Sequence, residues 1–119
     1  MKVKLILLSI LLVGCSSQPI PLSSSTQDWR DFGQQQAQMG WLKQSQSALA
    51  KQRSDSVLDS ELYLAYDSGY EVGRNNYCQQ DARMLGVVGK PYLGICDQLD
   101  PFFYQDYMSG RTSSAGSGI

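Results

Sequence analysis

Apolar and aromatic positions between residues 58 and 78 recur three and four apart. Tyr63, Tyr66, Tyr70 and Tyr77 fall on one narrow face of a helix, and Leu58, Leu62, Ala65, Gly69, Val72 and Gly73 form the adjoining face. The pattern predicts a central helix with one broad buried stripe, ending near Cys78. Asp55 or Ser56 is the expected cap, with Asp59 and Glu61 in the opening turns. Two glycines four apart cost about 1 kcal/mol each in a helix interior, so a backbone or a ring is expected against the bare patch. The Gly/Pro-rich segment from Gly86 to Cys96 is the expected neighbour.

Upstream, Trp29, Phe32, Gln36 and Met39 share a helical face with Gly33 and Gly40, behind a cap at Ser25 or Thr26 and beside Asp28 and Asp31. This is core-facing amphipathic spacing, not an aromatic cofactor box. Residues 41–55 are rich in Gln, Ser and Lys, and predict a largely exposed helix on which Lys43, Lys51 and Arg53 are scattered in solvent. Downstream, Gln79 to Leu85 is helical in pattern. Gly86, Gly89, Pro91 and Gly94 then predict a compact loop. A last helix is expected from Pro101, capped by Asp100 and stopped by Gly110. The expected fold is therefore all-α, a small bundle of three to five short helices with a disulfide-stapled Gly/Pro-rich loop.

The first residues follow another pattern. Met1-Lys2-Val3-Lys4 is a basic start, Leu5 to Val13 an apolar run too short to span a bilayer, and Leu12-Val13-Gly14-Cys15-Ser16 a cleavage box. The box resembles that of bacterial lipoproteins. That resemblance implies a diacylated, then N-acylated, Cys15, and Ser16 after it implies export to the outer membrane. More than one acyl chain gives stable anchoring, at about 0.8 kcal/mol per buried methylene. The organisation that follows is a signal peptide over 1–14, a lipidated cysteine and flexible tether over 15–26, a helical domain over 27–111 and a disordered Ser/Gly-rich tail over 112–119.

Charge and cysteine count narrow the picture. Loss of Lys2 and Lys4 with the leader takes the formal charge from −1 to −3, a balance that argues against nucleic acid and against electrostatic attachment to anionic headgroups. With Cys15 assigned to lipid, Cys78 and Cys96 remain in an oxidising compartment, and a disulfide is the default. The chain has no histidine, which disfavours a metal site, and the spacing is far from Cys-x-x-Cys, which disfavours a redox pair. No cofactor or metal is expected.

Catalytic signatures are also sparse. No Gly-x-Ser-x-Gly, phosphate-binding glycine loop or metal-ligand cluster occurs. Asp67 and Glu71, four apart, would be the one carboxylate pair of the glycosidase kind, but both project away from the tyrosine stripe and are expected in solvent. One internal echo appears, Tyr70-Glu71-Val72-Gly73-Arg74 against Tyr107-Met108-Ser109-Gly110-Arg111. It reads as two helices that each bring a ring and a bare backbone to the core. The alternative is a pair of arginines, Arg74 and Arg111, gripping an anion.

Asp28-Trp29, Gly33 and Gly40, then Tyr66-x-x-Gly69-x-x-x-Gly73-x-x-x-Tyr77-Cys78, then Ala82, Gly86 and Gly89-x-x-Tyr92-x-x-x-Cys96, then Phe103 and Tyr107-x-x-Gly110-Arg111 make a longer pattern. It resembles a family of short proteobacterial lipoproteins known as domain of unknown function twenty-seven ninety-nine. The resemblance covers nearly all of the chain between tether and tail. It implies a disulfide-stapled helical fold and no activity. The chain departs from the family at Gln36-Ala37, where an Asp-Gly pair is common.

The expected function is a lipid-anchored structural or binding module at the periplasmic face of the outer membrane, contacting an envelope protein or cell-wall polymer, and no enzyme. Tyr66, Gly69, Tyr70, Gly73, Arg74, Tyr77, Tyr107 and Arg111 are the candidates for interaction or packing. The alternatives are a small cell-wall hydrolase using carboxylates and tyrosines, or an inhibitor of an envelope enzyme.

Overall fold

The computed structural model describes residues 20–53 and 58–116. The expected leader, Cys15, the start of the tether, and the expected caps Asp55 and Ser56 lie outside the described residues. Within them the chain forms five helices and no strand: α1 (Thr26–Gln38), α2 (Gln46–Gln52), α3 (Ser60–Cys78), α4 (Ala82–Val87) and α5 (Phe103–Gly116). The all-α expectation holds.

Four helix starts are closed in the same way. Ser25, Ser45, Asp59 and Asp81 stand in extended backbone, and each side chain accepts from the backbone N–H three residues on. The start of α3 therefore lies at Asp59. The expected helix over 41–55 shrinks to α2, because Gly40 closes α1 and Ser45 opens the next helix, leaving Trp41 to Gln44 outside both.

The helices pack in two pairs, α1 against α3 and α4 against α5. Each pair is a close backbone crossing. A Cβ built on Gly33 meets the Tyr66 carbonyl oxygen, and one on Gly69 meets the Arg30 carbonyl oxygen. In the second pair, a Cβ on Gly86 meets the Tyr107 carbonyl oxygen, and one on Gly110 meets that of Arg83. All four distances fall below the 3.0 Å that real Cβ atoms respect. In both pairs the oxygen belongs to the residue three before the partner glycine, so the register is the same. The first pair adds a further step one turn along, where Gly73 lies against Gln34 and Ala37.

Three expectations change as a result. The neighbour of Gly69 and Gly73 is α1, not the 86–96 segment. Gly86 is inside α4, not in a loop, since its bare face is where α5 crosses. Gly110 does not stop α5, which continues to Gly116 into the stretch expected to be disordered, because this glycine too is a crossing point.

Both first helices of the pairs also end alike. Gly40 has φ +83 and Gly89 has φ +77, left-handed backbone that glycine adopts without a steric penalty. Gly40 N–H donates to Ala37 and Trp41 N–H to Gln36; Gly89 N–H donates to Gly86 and Lys90 N–H to Leu85. This is one double-bonded helix terminus, used twice. The disulfide between Cys78 and Cys96, with Cα atoms 5.6 Å apart, ties the end of α3 to the connector that leads into α5.

One aromatic core runs through both pairs. Trp29, Tyr66, Tyr70 and Phe103 are its largest enclosed side chains. The Tyr77 and Phe103 rings, 6.3 Å apart, bridge the two halves. Val72 and Met39, expected in the stripe, are instead exposed, because a close crossing covers only the glycine side of each helix. Conversely, Ile20 packs on the core and Ser23 accepts from the Trp29 indole, so the domain begins before the expected boundary.

Candidate binding cleft

Three α3 tyrosines project past the crossing with α1 and reach the segment that leaves it. The Tyr70 hydroxyl donates to the Trp41 carbonyl at 2.7 Å. The Tyr63 hydroxyl donates to the Gln44 carbonyl at 3.0 Å, and the Gln44 N–H donates to the Tyr66 hydroxyl at 3.0 Å. Residues 41–44 thus have no helix of their own and are held as firmly as one. The same burial that gives the tyrosines their packing raises their pKa. Tyr70 is pushed up to about 12 and Tyr66 is also raised, in each case chiefly because enclosure penalises the phenolate.

Between these tyrosines the segment turns its side chains outward. Trp41 is 43% exposed, Leu42 52% and, across from them on the disulfide-bearing connector, Leu93 49%. They form walls of a cleft of about 440 Å³ with Phe32 at its floor. Three amides complete the lining, from Gln36, Gln44 and Gln52. Gln52 Nε2 donates to Gln44 Oε1 at 2.6 Å, which orients both. A side-chain amide offers both donor and acceptor. The pairing leaves the Gln44 amide nitrogen and the Gln52 carbonyl oxygen without a partner among the described residues.

Beyond Leu42 lies a second cavity of about 360 Å³ with a different character, lined by Lys43, Tyr70, Arg74 and Asp97 among others. Lys43 Nζ lies 2.5 Å from both Asp67 and Glu71 and 5.2 Å from the Tyr70 ring centroid. Burial lowers the Lys43 pKa, but the hydrogen bonds it donates to Asp67 and Glu71, together with their negative charges, outweigh it, and the net shift is upward. Arg74 pairs with Glu71. So Lys43 is paired rather than scattered in solvent, and Asp67 and Glu71, each about a third exposed, link the 41–44 segment to α3 through it.

The residues singled out from the sequence divide into three groups. Gly69 and Gly73 are crossing points, and Tyr77 packs its ring beside Gly40, whose built Cβ lies 3.1 Å from it. Tyr66, Tyr70 and Arg74 surround the clamped segment. Tyr107 and Arg111 belong to the other pair, where the Tyr107 hydroxyl donates to the Lys90 carbonyl at 2.6 Å and Arg111 reaches toward Gly89. Arg74 and Arg111 stand on different helix pairs, Arg74 paired with Glu71 and Arg111 beside Gly89. Sequence reasoning passed over Trp41, Gln44 and Gln52. The signal was the bracket of Gly40 and Ser45, which leaves too few residues between for another helical turn.

Fold and site together define a class: a small all-α module, glycine-crossed, disulfide-linked, with a preformed neutral cleft. The family described as "Protein of unknown function (DUF2799)" matches residues 28–112, most of the chain, and the chain belongs to that family. Neither the curated proteins nor the solved structures contain a match. No helix among the described residues is long and apolar enough to cross a membrane, and no group of three or more metal-ligating side chains occurs among them.

Proposed function

We propose that the protein is a lipoprotein, anchored through Cys15 to the periplasmic face of the outer membrane, whose helical domain is a binding module of the cell envelope. The observation that carries the binding part is the clamped 41–44 segment. Three tyrosine hydroxyls and a Lys43 ion pair immobilise a stretch whose Trp41 and Leu42 side chains stay in water. Ordering exposed apolar side chains in advance of a partner lowers the entropic cost of binding it. The Cys78–Cys96 disulfide supports an oxidising compartment, and the Leu-Val-Gly-Cys box supports lipidation. The involvement of Asp67 and Glu71 in holding Lys43 favours this reading over a carboxylate hydrolase.

Mass spectrometry of protein purified from membranes is expected to find an acylated Cys15 at the amino terminus, and Cys15→Ala to leave the chain uncleaved or release it from the membrane fraction. An intact leader, or a cleaved but unmodified Cys15, would overturn the anchored reading.

A further inference from the structure

We infer that the cleft between Trp41, Leu93 and the three glutamines is a binding site for an uncharged saccharide, with Trp41 as its stacking platform. This deepens the binding-module reading and rests on it, but it does not require the anchor. The lining carries the inference. Among the described residues no charged side chain lines the cleft, although Lys43 and Arg74 stand just beyond Leu42, so an anionic ligand would find its partners outside it. What the cleft offers is one exposed aromatic side chain, Trp41, with the buried Phe32 ring, aliphatic walls and amides. A sugar ring presents C–H groups on its faces and hydroxyls, or acetamido groups, around its edge. The faces suit Trp41 and the edge suits the donor of Gln44 and the acceptor of Gln52. The volume of about 440 Å³ lies in the range of small-ligand sites.

Rigidity is the second support. A flexible surface tryptophan is ordinary, but here the Trp41 carbonyl is fixed by Tyr70 and its N–H by Gln36, while the Gln44 backbone is fixed on both sides. The backbone that carries the platform and the flanking amide is therefore set before the ligand arrives. A protein side chain could fill the apolar part of the cleft, but it would leave the Gln44–Gln52 pair facing no matching polar edge.

The two tryptophans make the test direct. Trp29 is fully enclosed and Trp41 is the exposed one, so a ligand stacking in the cleft reports through Trp41 fluorescence. Full-length protein in detergent would be titrated, by fluorescence and calorimetry, with three uncharged glycans: the N-acetylglucosamine tetramer, cellotetraose and maltotetraose. A saturable response to at least one is expected, and which one identifies the source of the sugar. By calorimetry, Trp41→Ala should weaken that binding about tenfold and Gln52→Ala about fivefold, with unchanged melting temperatures. Absence of a saturable response to all three glycans would overturn the site, as would undiminished binding in Trp41→Ala. If Trp41→Ala melts early, the exposed Gln52→Ala variant decides alone. No glycan binding with an acylated Cys15 sinks the cleft and spares the anchor, and the opposite result does the reverse.

Discussion

The two helix pairs of this domain are built to one plan and finished differently. In each, a helix with an Arg-x-x-Gly step crosses a helix with a Tyr-x-x-Gly step, carbonyl oxygens seated over bare glycine. In each, the first helix closes on a left-handed glycine, and a tyrosine three residues before a crossing glycine bonds the carbonyl of the residue that follows. Tyr70 takes Trp41 and Tyr107 takes Lys90. The connectors are where they part. After Gly40 the chain displays Trp41 and Leu42 and is clamped by tyrosines and Lys43; after Gly89 it carries Cys96 and is stapled to α3. The crossings set the geometry within each pair, and the connectors differ in what they add to it. One connector holds the halves together while the other forms the candidate site.

Breaking the crossings should have the largest effect. A methyl at Gly69 or Gly110 gains about 1 kcal/mol in helix propensity, but it meets backbone oxygen, which cannot turn aside as a side chain can. A net loss of about 3 kcal/mol or more is expected for each. If the pairs are independent copies, Gly110→Ala should release α5 while Trp29 stays enclosed, whereas Gly69→Ala should expose it. Hydrogen exchange and tryptophan emission separate the two. Stabilisation by either substitution would refute the crossing.

Removing the staple comes next. Cys78 and Cys96 lie 18 residues apart, and a loop of that size is worth about 3 kcal/mol in the chain-entropy account. The double alanine variant should lower the urea midpoint accordingly. Its loss should concentrate in α4 and α5, because α1 and α3 cross without help from the bond. Uniform loss of exchange protection across all helices would show instead that the halves fold as one unit.

Much of this was readable in advance, and the reason it stopped where it did is physical. The tyrosine stripe, the Ser25 cap and the pairing of Cys78 with Cys96 follow from periodicity, local capping and count. Which backbone meets Gly69 does not, since that is a contact between segments far apart in sequence. Gly86 and Gly110 were misread for the same reason: a helical glycine resembles a breaker until the crossing helix is known. The echo of Tyr70 to Arg74 in Tyr107 to Arg111 was legible, and the packing reading of it holds. The cleft was not, because Trp41 is positioned by hydroxyls on another helix and its own stretch is only polar and short.

Alkaline pH should weaken both halves together. Tyr66, Tyr70 and Tyr77 in the first, and Tyr92 beside the second, all have raised pKa values, with burial the leading cause. An unfolded tyrosine titrates near 10. A group with a raised native pKa contributes stability that is complete below the unfolded value and lost as pH climbs through the native one. The urea midpoint should therefore be flat below about pH 10 and fall from there toward 12 and beyond. A midpoint unchanged at pH 11 would contradict the enclosure of these rings.

The smallest effect tests the likeness most closely. Tyr70→Phe and Tyr107→Phe keep each ring and delete one hydroxyl, leaving the carbonyl of Trp41 or Lys90 without its side-chain donor. A part-buried hydrogen bond is worth about 1 kcal/mol, so each variant should lose about that much. The amide of Trp41, bonded to Gln36, should exchange faster only in the first variant, and that of Lys90, bonded to Leu85, only in the second. If the staples are equivalent, the two losses match. A neutral Tyr70→Phe beside a costly Tyr107→Phe would show that Tyr63, Tyr66 and Lys43 already fix the first connector. The extra clamps would then be what separates a connector that only closes the fold from one that holds a surface ready.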